Sequence, residues 1–217
     1  MAAIKLIVGL GNPGKEHAGT RHNAGAEFVE ALARRNSVAL QEESKFFGFT
    51  GRLTFADCDL RLLIPKTFMN LSGKSVAAMA QFYKFAPENL LIAHDELDLP
   101  AGTAKWKFAG GHGGHNGLRN IVPALGNRQD FYRLRLGIGH PGHASRVTGH
   151  VLSAPSADER AAIEACIDEA IATLPMVLAG ELTKAMTQLH SFNGAPGNGA
   201  PGTGAPGTGA PSLKPQT

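Results

Sequence analysis

The sequence predicts an α/β fold, a single domain in which a mixed, partly parallel sheet is packed between helices, followed by a disordered C-terminal tail. Apolar runs of strand length alternate along the chain with segments whose apolar residues recur every three or four positions. This alternation favours a sheet layered between helices. The runs at 46–55 and 60–65 are separated only by a short turn, so these two strands are predicted to be antiparallel.

The first strand is predicted over Ile4–Val8, and the first helix begins near Asn23 because Phe28 and Leu32 continue a helical spacing. The other predicted strands are 46–55, 60–65, 89–93, 104–108 and 132–138. The other predicted helices are 72–85, a short one after the glycine loop 110–117, 156–173 and 175–190.

The chain of 217 residues suits one hydrophobic core with an appendage. We assign residues 1–192 to the folded domain and residues 193–217 to the tail. The tail repeats Gly-Ala-Pro-Gly and has no side chains that could build a core, which predicts disorder. Glycine does not recur at every third position, so a collagen-like helix is excluded.

Composition and charge narrow the class of protein. Cys58 and Cys166 form no metal or redox motif, and the chain has neither a signal sequence nor a membrane-spanning run, so we expect a cytoplasmic protein without membrane association. Residues 1–150 hold 18 Lys and Arg against 12 Asp and Glu, a net charge of +6 within a total of +3. This asymmetry is compatible with a polyanionic partner, and equally with an ordinary solvated basic surface.

The segment 9–25, GLGNPGKEHAGTRHNAG, partly matches two nucleotide-binding motifs. Its glycines fit G-x-G-x-x-G after a strand, but the helix begins only near Asn23 and Pro13 removes one N–H that a phosphate would need. It also fits G-x-x-x-x-G-K, yet Glu16 stands where a magnesium-binding hydroxyl is required. Neither nucleotide site is expected, and the segment is interpreted as a tight turn that places polar groups at the end of the first strand.

Several polar side chains follow predicted strands, where α/β sheets collect their ligands. These residues are Asn12, His22, Asn70, His94, Asp95, Glu96, His115 and Asn116. A histidine paired with a carboxylate can activate water near neutral pH, and amide N–H₂ groups can hold an acyl oxygen. The alternative for His22 is a local partner of the helix terminus, capped by Thr20 or Asn23.

Two histidine pairs raise the question of a metal. His112 with His115 and His140 with His143 are each separated by two residues, but neither pair lies on a helix with a companion glutamate. We therefore expect no metal site.

Six motifs together resemble bacterial-type peptidyl-tRNA hydrolases over Ile4–Phe192. In chain order they are GLGNPG with TRHNAG, PKTFMNLSG, HDELDLP, GGHGGHNGLR and RLRLGIGHP. The resemblance implies hydrolysis of the ester between a peptide and the terminal ribose of tRNA, so that the tRNA is reused in translation. It implies no metal or organic cofactor. The partner it implies is peptidyl-tRNA, contacted at the acceptor arm and 3′ end.

The resemblance also implies roles for single residues. His22 would be the general base on water, Asp95 its orienting partner, and Asn12 would help to distinguish a blocked substrate from free aminoacyl-tRNA. The residues implied to line the site are Phe68, Asn70 and Asn116, and those implied to contact tRNA are Lys107, His115 and Arg135. His17 stands where the family usually has Tyr, and it is kept as a binding residue because imidazole can still stack and hydrogen-bond.

The basic residues around 105–135 fit this partner. Arg133 and Arg135 alternate with leucines on one strand, so we expect one face toward the core and the arginine face toward RNA phosphates. We expect a monomer without an obligate protein partner. Two alternatives are a non-catalytic RNA-binding protein on the same scaffold, as in related organellar splicing factors, and a general esterase or amidase for N-blocked amino acids.

Overall fold

A computed structural model of the chain describes residues 3–192. The predicted tail 193–217 lies outside the described residues. The centre of the domain is a seven-stranded sheet in the order β2-β3-β4-β1-β5-β7-β6. Its strands are β1 (Leu6–Gly9), β2 (Gln41–Glu43), β3 (Gly48–Phe55), β4 (Cys58–Pro65), β5 (Leu90–Glu96), β6 (Ala104–Phe108) and β7 (Tyr132–Gly137).

The sheet is mixed, which confirms the predicted fold class. β1 pairs in parallel with β4 and β5, and β5 pairs in parallel with β7. The predicted antiparallel pair is β3 with β4, and its hairpin closes where Phe55 is opposite Cys58. β2 and β6 are antiparallel edge strands. β2 was not predicted, because its Gln-Glu-Glu sequence has no apolar alternation.

The helices are α1 (Ala24–Arg35), α2 (Ser72–Tyr83), α3 (Asn116–Ala124), α4 (Val147–Val151), α5 (Ala157–Leu178) and α6 (Leu182–Ser191). The predicted break near Pro175 is wrong, since α5 continues through that proline. Pro175 costs the helix one hydrogen bond, but Leu174 and Val177 keep it buried on either side. The break falls at Gly180, whose φ of +82° ends the helix.

The two faces of the sheet carry separate cores. Ile7 of β1 joins a cluster with Phe28 of α1, Trp106 of β6 and residues of α5 and α6. Leu6 and Val8 point to the other face, where they pack with residues of α2 and α3. Side chains alternate along a strand, so the short apolar β1 is buried on both faces, as parallel strands at the centre of such sheets are. Helices therefore cover both faces, as predicted.

Two glycines of segment 9–25 bring α1 close to the sheet. A Cβ on Gly25 would lie 2.2 Å from the backbone oxygen of Ala93 in β5, and one on Gly9 would lie 2.4 Å from the oxygen of Gly25. Only glycine permits this approach of helix and strand backbones. The consequence is that the turn before α1, Arg21–Asn23, is held over the carboxyl ends of β1 and β5.

Within residues 3–192, no helix combines the length and apolar character that crossing a membrane requires.

Candidate active site

A cleft of about 760 Å³ opens at the carboxyl ends of β1 and β5. It collects polar side chains from four separate parts of the chain: the segment after β1, the segment before α2, the end of β5 and the start of α3. The sequence-predicted residues that line it are Asn12, His17, His22, Phe68, Asn70, Asp95, Glu96, His115 and Asn116.

His22 and Asp95 form a buried pair at the base of this cleft. His22 Nδ1 lies 2.8 Å from Asp95 Oδ1, and the two residues are 7% and 3% exposed. Because the carboxylate accepts the proton of Nδ1, the lone pair of His22 is on Nε2. The histidine is thus held in the tautomer that a general base on water requires.

Asp95 Oδ1 accepts a second hydrogen bond, from His115 Nε2 at 2.8 Å. Burial opposes ionisation of this carboxyl, but the electrostatic attraction and hydrogen bonds of His115 and His22 outweigh burial and lower the pKa of Asp95 below its usual range. Asp95 is therefore a carboxylate at neutral pH. The contact between His115 and Asp95 was not predicted, because no sequence pattern indicates that the glycine loop packs against the end of β5.

Asn12 is held rigidly by three hydrogen bonds. Its backbone N–H and C=O are both bound by the side chain of Asn23, at 2.8 and 3.1 Å. Its Oδ1 accepts the backbone N–H of Met69 at 2.8 Å. Among the described residues Asn12 Nδ2 has no hydrogen-bond partner, so an N–H₂ donor remains available to the cleft. The proposed capping role of Asn23 is replaced by this positioning of Asn12, as Asn23 makes no side-chain cap to α1.

The rim of the cleft carries side chains that are exposed or half-buried. Phe68 is 58% exposed, and Asn70 follows it in a 3-10 turn at the start of α2. Asn116 is the first residue of α3 and is exposed, with its Oδ1 3.2 Å from Arg119. His17 is half-buried and lines the same cleft. These residues surround the buried His22–Asp95 pair with two amides and two rings that a substrate can reach.

Arg21 is a buried residue of this region that sequence reasoning overlooked. It is 9% exposed, and its guanidinium donates to Ser153 Oγ at 2.7 Å, to the backbone oxygen of Ala154 at 3.0 Å and to Glu159 at 2.8 Å. It therefore ties the turn that carries His22 to the segment between α4 and α5. α4 forms one wall of the cleft through Val147 and Val151.

Lys107 and Arg135 do not line the main cleft. They lie in a neighbouring pocket of about 280 Å³ that shares Glu96 and Gly113 with it. Lys107 is exposed, whereas Arg135 donates to Glu96 at 2.8 Å. The predicted basic groups are thus brought next to the His22–Asp95 pair without touching it.

The expectation that Arg133 faces RNA is wrong. Arg133 is 3% exposed, and its guanidinium donates to the backbone oxygens of Gly110 and Gly111. It is committed to holding the glycine loop against β7. Strand alternation correctly put Arg133 and Arg135 on one face, but the glycine loop covers Arg133 on that face.

His94 is also buried, at 2% exposure, and its Nδ1 donates to the backbone oxygen of Asp95 at 2.7 Å. Burial lowers its pKa to about 3, so it is neutral at physiological pH. Its ring packs edge-on against that of His115, with centroids 5.0 Å apart. Its Nε2 is buried without a partner in the described residues.

His22, Asp95 and His115 place three possible metal ligands within 4.8 Å of one another. Their protons do not suit a metal, because both imidazoles donate an N–H to the same carboxylate oxygen. His115 Nδ1 accepts the backbone N–H of Gly117, so its proton cannot move there to free Nε2 for a cation without breaking that bond. In the two sequence pairs, His112, His140 and His143 use their Nδ1 atoms in local turns. The three side chains are therefore arranged as a hydrogen-bonded network and not as a set of metal ligands.

Three comparisons place the chain among known proteins. The family model described as peptidyl-tRNA hydrolase matches residues 6–196. The peptidyl-tRNA hydrolase of Yersinia enterocolitica is 60% identical over 88% of this chain and 98% of its own, and that of Vibrio parahaemolyticus is 58% identical over 87% and 96%. A crystal structure of peptidyl-tRNA hydrolase from Acinetobacter baumannii superposes with a TM-score of 0.86 at 49% identity, covering 90% of this chain and 98% of that one. The chain therefore belongs to the peptidyl-tRNA hydrolase family.

Proposed function

We propose that this chain hydrolyses the ester bond between peptide and tRNA in peptidyl-tRNA, releasing free tRNA for translation. The observation that carries the proposal is the buried His22–Asp95 pair at the base of a cleft bordered by three asparagine amides. Family membership, at up to 60% identity with relatives of that name, supports the same activity.

The geometry supports a direct attack by water. His22 Nε2 takes a proton from water as the water oxygen bonds to the acyl carbon. The resulting oxyanion is held by an amide N–H₂, and we assign this role to Asn12 Nδ2, because Asn12 lines the cleft with its Oδ1 already bound to Met69. The acyl–ribose bond then breaks, and the proton on His22 passes to the ribose oxygen. Asp95 stays ionised throughout and stabilises the imidazolium that forms.

Two parts of the substrate match two parts of the surface. The main cleft has Phe68, Asn70, Asn116 and His17 on its borders, and these rings and amides suit the peptidyl end and the terminal adenosine. The adjoining pocket with Lys107 and Arg135 suits phosphates of the acceptor arm. Phosphate contacts carry no sequence information, so one enzyme could serve many tRNAs. We also propose that the protein is cytoplasmic and acts as a monomer.

One assay tests the activity. The protein is incubated with N-acetyl-aminoacyl-tRNA, with free aminoacyl-tRNA and with a small N-acyl amino-acid ester, each with and without a chelator. We expect cleavage of the blocked tRNA alone, unchanged by the chelator. Cleavage of the small ester would favour a general esterase, binding of tRNA without any cleavage would favour an RNA-binding protein, and sensitivity to chelator would require a metal.

A further inference from the structure

The side chain of His115 is buried and hydrogen-bonded within the domain, so its ring nitrogens are not free to bind a ligand. Its side chain is 8% exposed, and both ring nitrogens are hydrogen-bonded within the domain. Nε2 contacts Asp95, while Nδ1 accepts the backbone N–H groups of Gly117 at 3.1 Å and Leu118 at 3.3 Å. A contact with tRNA would require one of these bonds to be broken.

The start of α3 determines the tautomer of His115. His115 is the N-cap residue of this helix, and its Nδ1 satisfies two of the backbone donors that an α-helix leaves free at its N-terminus. An atom that accepts two N–H groups cannot itself carry a proton toward them. The proton of the neutral ring is therefore on Nε2, the nitrogen that faces Asp95.

Asp95 Oδ1 thus receives two N–H donors, one from His22 and one from His115. The rings of the two histidines lie 5.2 Å apart on either side of it. Each donor neutralises part of the charge on the shared oxygen. The donor from His115 thereby reduces the attraction that Asp95 exerts on a protonated His22.

Resting on the function proposed above, we propose that His115 is a positioning residue of the His22–Asp95 pair. By sharing Asp95 Oδ1, it limits how strongly the carboxylate holds a proton on His22. It therefore extends the activity of the enzyme to lower pH. The tRNA contact that the resemblance implies for His115 is replaced by this role.

The other ionisable groups near His22 and Asp95 are neutral, bound elsewhere or without contact to the pair, so His115 is the group that modulates the attraction between Asp95 and the proton on His22. His94, beside Asp95 on β5, is buried and neutral. Glu96 is directed to Arg135, and Arg21 to Ser153 and Glu159. α4 faces the cleft with Val147, Thr148 and Val151, and His150 contacts backbone oxygens of the segment after β7. His17 is the remaining ionisable side chain lining the cleft within residues 3–192, and it makes no described contact with His22 or Asp95.

The test uses His115→Asn. Asparagine is a good N-cap, so its Oδ1 keeps the bonds to Gly117 and Leu118, but it is too short to reach Asp95. The measurement is the pH dependence of kcat and KM on N-acetyl-aminoacyl-tRNA, together with the salt dependence of tRNA binding. His115→Ser, a second N-cap that cannot reach Asp95, guards against a folding defect of one variant. The matched control is His143→Asn, since His143 is also an N-cap residue whose Nδ1 accepts a backbone N–H, but it lines neither pocket and does not contact Asp95.

We expect the acid limb of the kcat profile to move to higher pH by about one unit in both His115 variants. This lowers kcat up to about tenfold below the limb, while KM and the salt slope stay unchanged. His143→Asn should keep the wild-type acid limb. An unmoved acid limb in the His115 variants overturns the proposal, and a raised KM with a flatter salt slope would return His115 to tRNA contact. Absence of cleavage by the wild-type protein would instead reject the proposed function itself.

Discussion

Asn12 Oδ1 accepts the backbone N–H of Met69 at 2.8 Å, which ties the segment after β1 to the turn before α2 across the cleft. This bond fixes the orientation of the amide, since only its oxygen can accept an N–H. The N–H₂ group is consequently the part of Asn12 left for a substrate. A residue from one loop is thus oriented by the backbone of another, 57 residues away in sequence.

The first prediction distinguishes the role of the Asn12 side-chain oxygen from that of its N–H₂ group. Asn12→Asp keeps an oxygen for Met69 but replaces the donor by a second oxygen, which repels a developing oxyanion. We expect kcat to fall about 10²–10³-fold with little loss of stability. Asn12→Ala should lose activity and also stability, because the Met69 N–H loses its partner. A variant Asn12→Asp with near-wild-type kcat would remove Asn12 from the reaction.

The second prediction concerns the proposed base. His22→Ala removes the group that takes the proton from water, so kcat should fall about 10²–10⁴-fold while tRNA binding is retained. Asp95→Asn should also lower kcat, because it no longer holds the Nδ1 proton of His22 as a carboxylate does. Single-turnover hydrolysis and filter binding measure the two effects separately. Full activity of His22→Ala would rule out this assignment.

The third prediction concerns the basic pocket. Lys107→Ala and Arg135→Ala should each weaken tRNA binding and reduce the slope of log K against log salt by about one, with kcat preserved. Lys184→Ala is the matched control, because Lys184 lies on α6, 3.0 Å from Glu181. Binding measured between low and moderate salt provides the slopes. Identical slopes for Lys107→Ala and the control would argue against a phosphate contact.

The fourth prediction concerns Arg21. Arg21→Ala should destabilise the domain by about 2 kcal/mol, because the buried guanidinium holds the segment between α4 and α5. It should also raise KM, because α4 forms a wall of the cleft. Arg35→Ala is the comparison: Arg35 also pairs with a carboxylate, Asp168, but both side chains are largely exposed, so a loss below about 1 kcal/mol is expected. Urea denaturation and steady-state kinetics report the two effects. Equal losses for the two variants would contradict a structural role specific to Arg21.

The fifth prediction concerns pH and His94. Its folded pKa of about 3 lies below the ordinary 6.5, so between these values the unfolded chain binds a proton that the folded one does not. Stability from the neutral ring is complete above pH 6.5 and is lost as pH falls, by at most about 1.4 kcal/mol per pH unit. From pH 7 to pH 5, the unfolding free energy of the wild type should therefore fall by about 2 kcal/mol more than that of His94→Gln. Parallel stability curves for the two proteins would contradict it.

Sequence reasoning located most of the candidate site because its residues follow strands. The end of an apolar run is visible in the sequence, and parallel strands bring their carboxyl ends to one edge of the sheet. Asn12, Asn70 and Asp95 were found in this way, and Asn116 from the glycine loop. Patterning could not show that Arg133 is covered by the glycine loop or that α5 continues through Pro175. Both outcomes depend on what packs against the residue.

Local patterns in the sequence were enough to predict the α/β class, the antiparallel β3–β4 pair and most of the polar residues that share the cleft, because periodicity and strand ends can be recognised in short segments. Phe68 and His17 were added from the family resemblance. It also pointed to segment 9–25, although its glycines serve the close approach of α1 to the sheet. Two contacts could be recognised only in the folded protein: Asp95 Oδ1 accepts hydrogen bonds from both His22 and His115, and the side chain of Asn23 holds the backbone of Asn12. These contacts join residues far apart in sequence, and hydrogen bonds of fixed length and direction exist only once the backbone has brought them together.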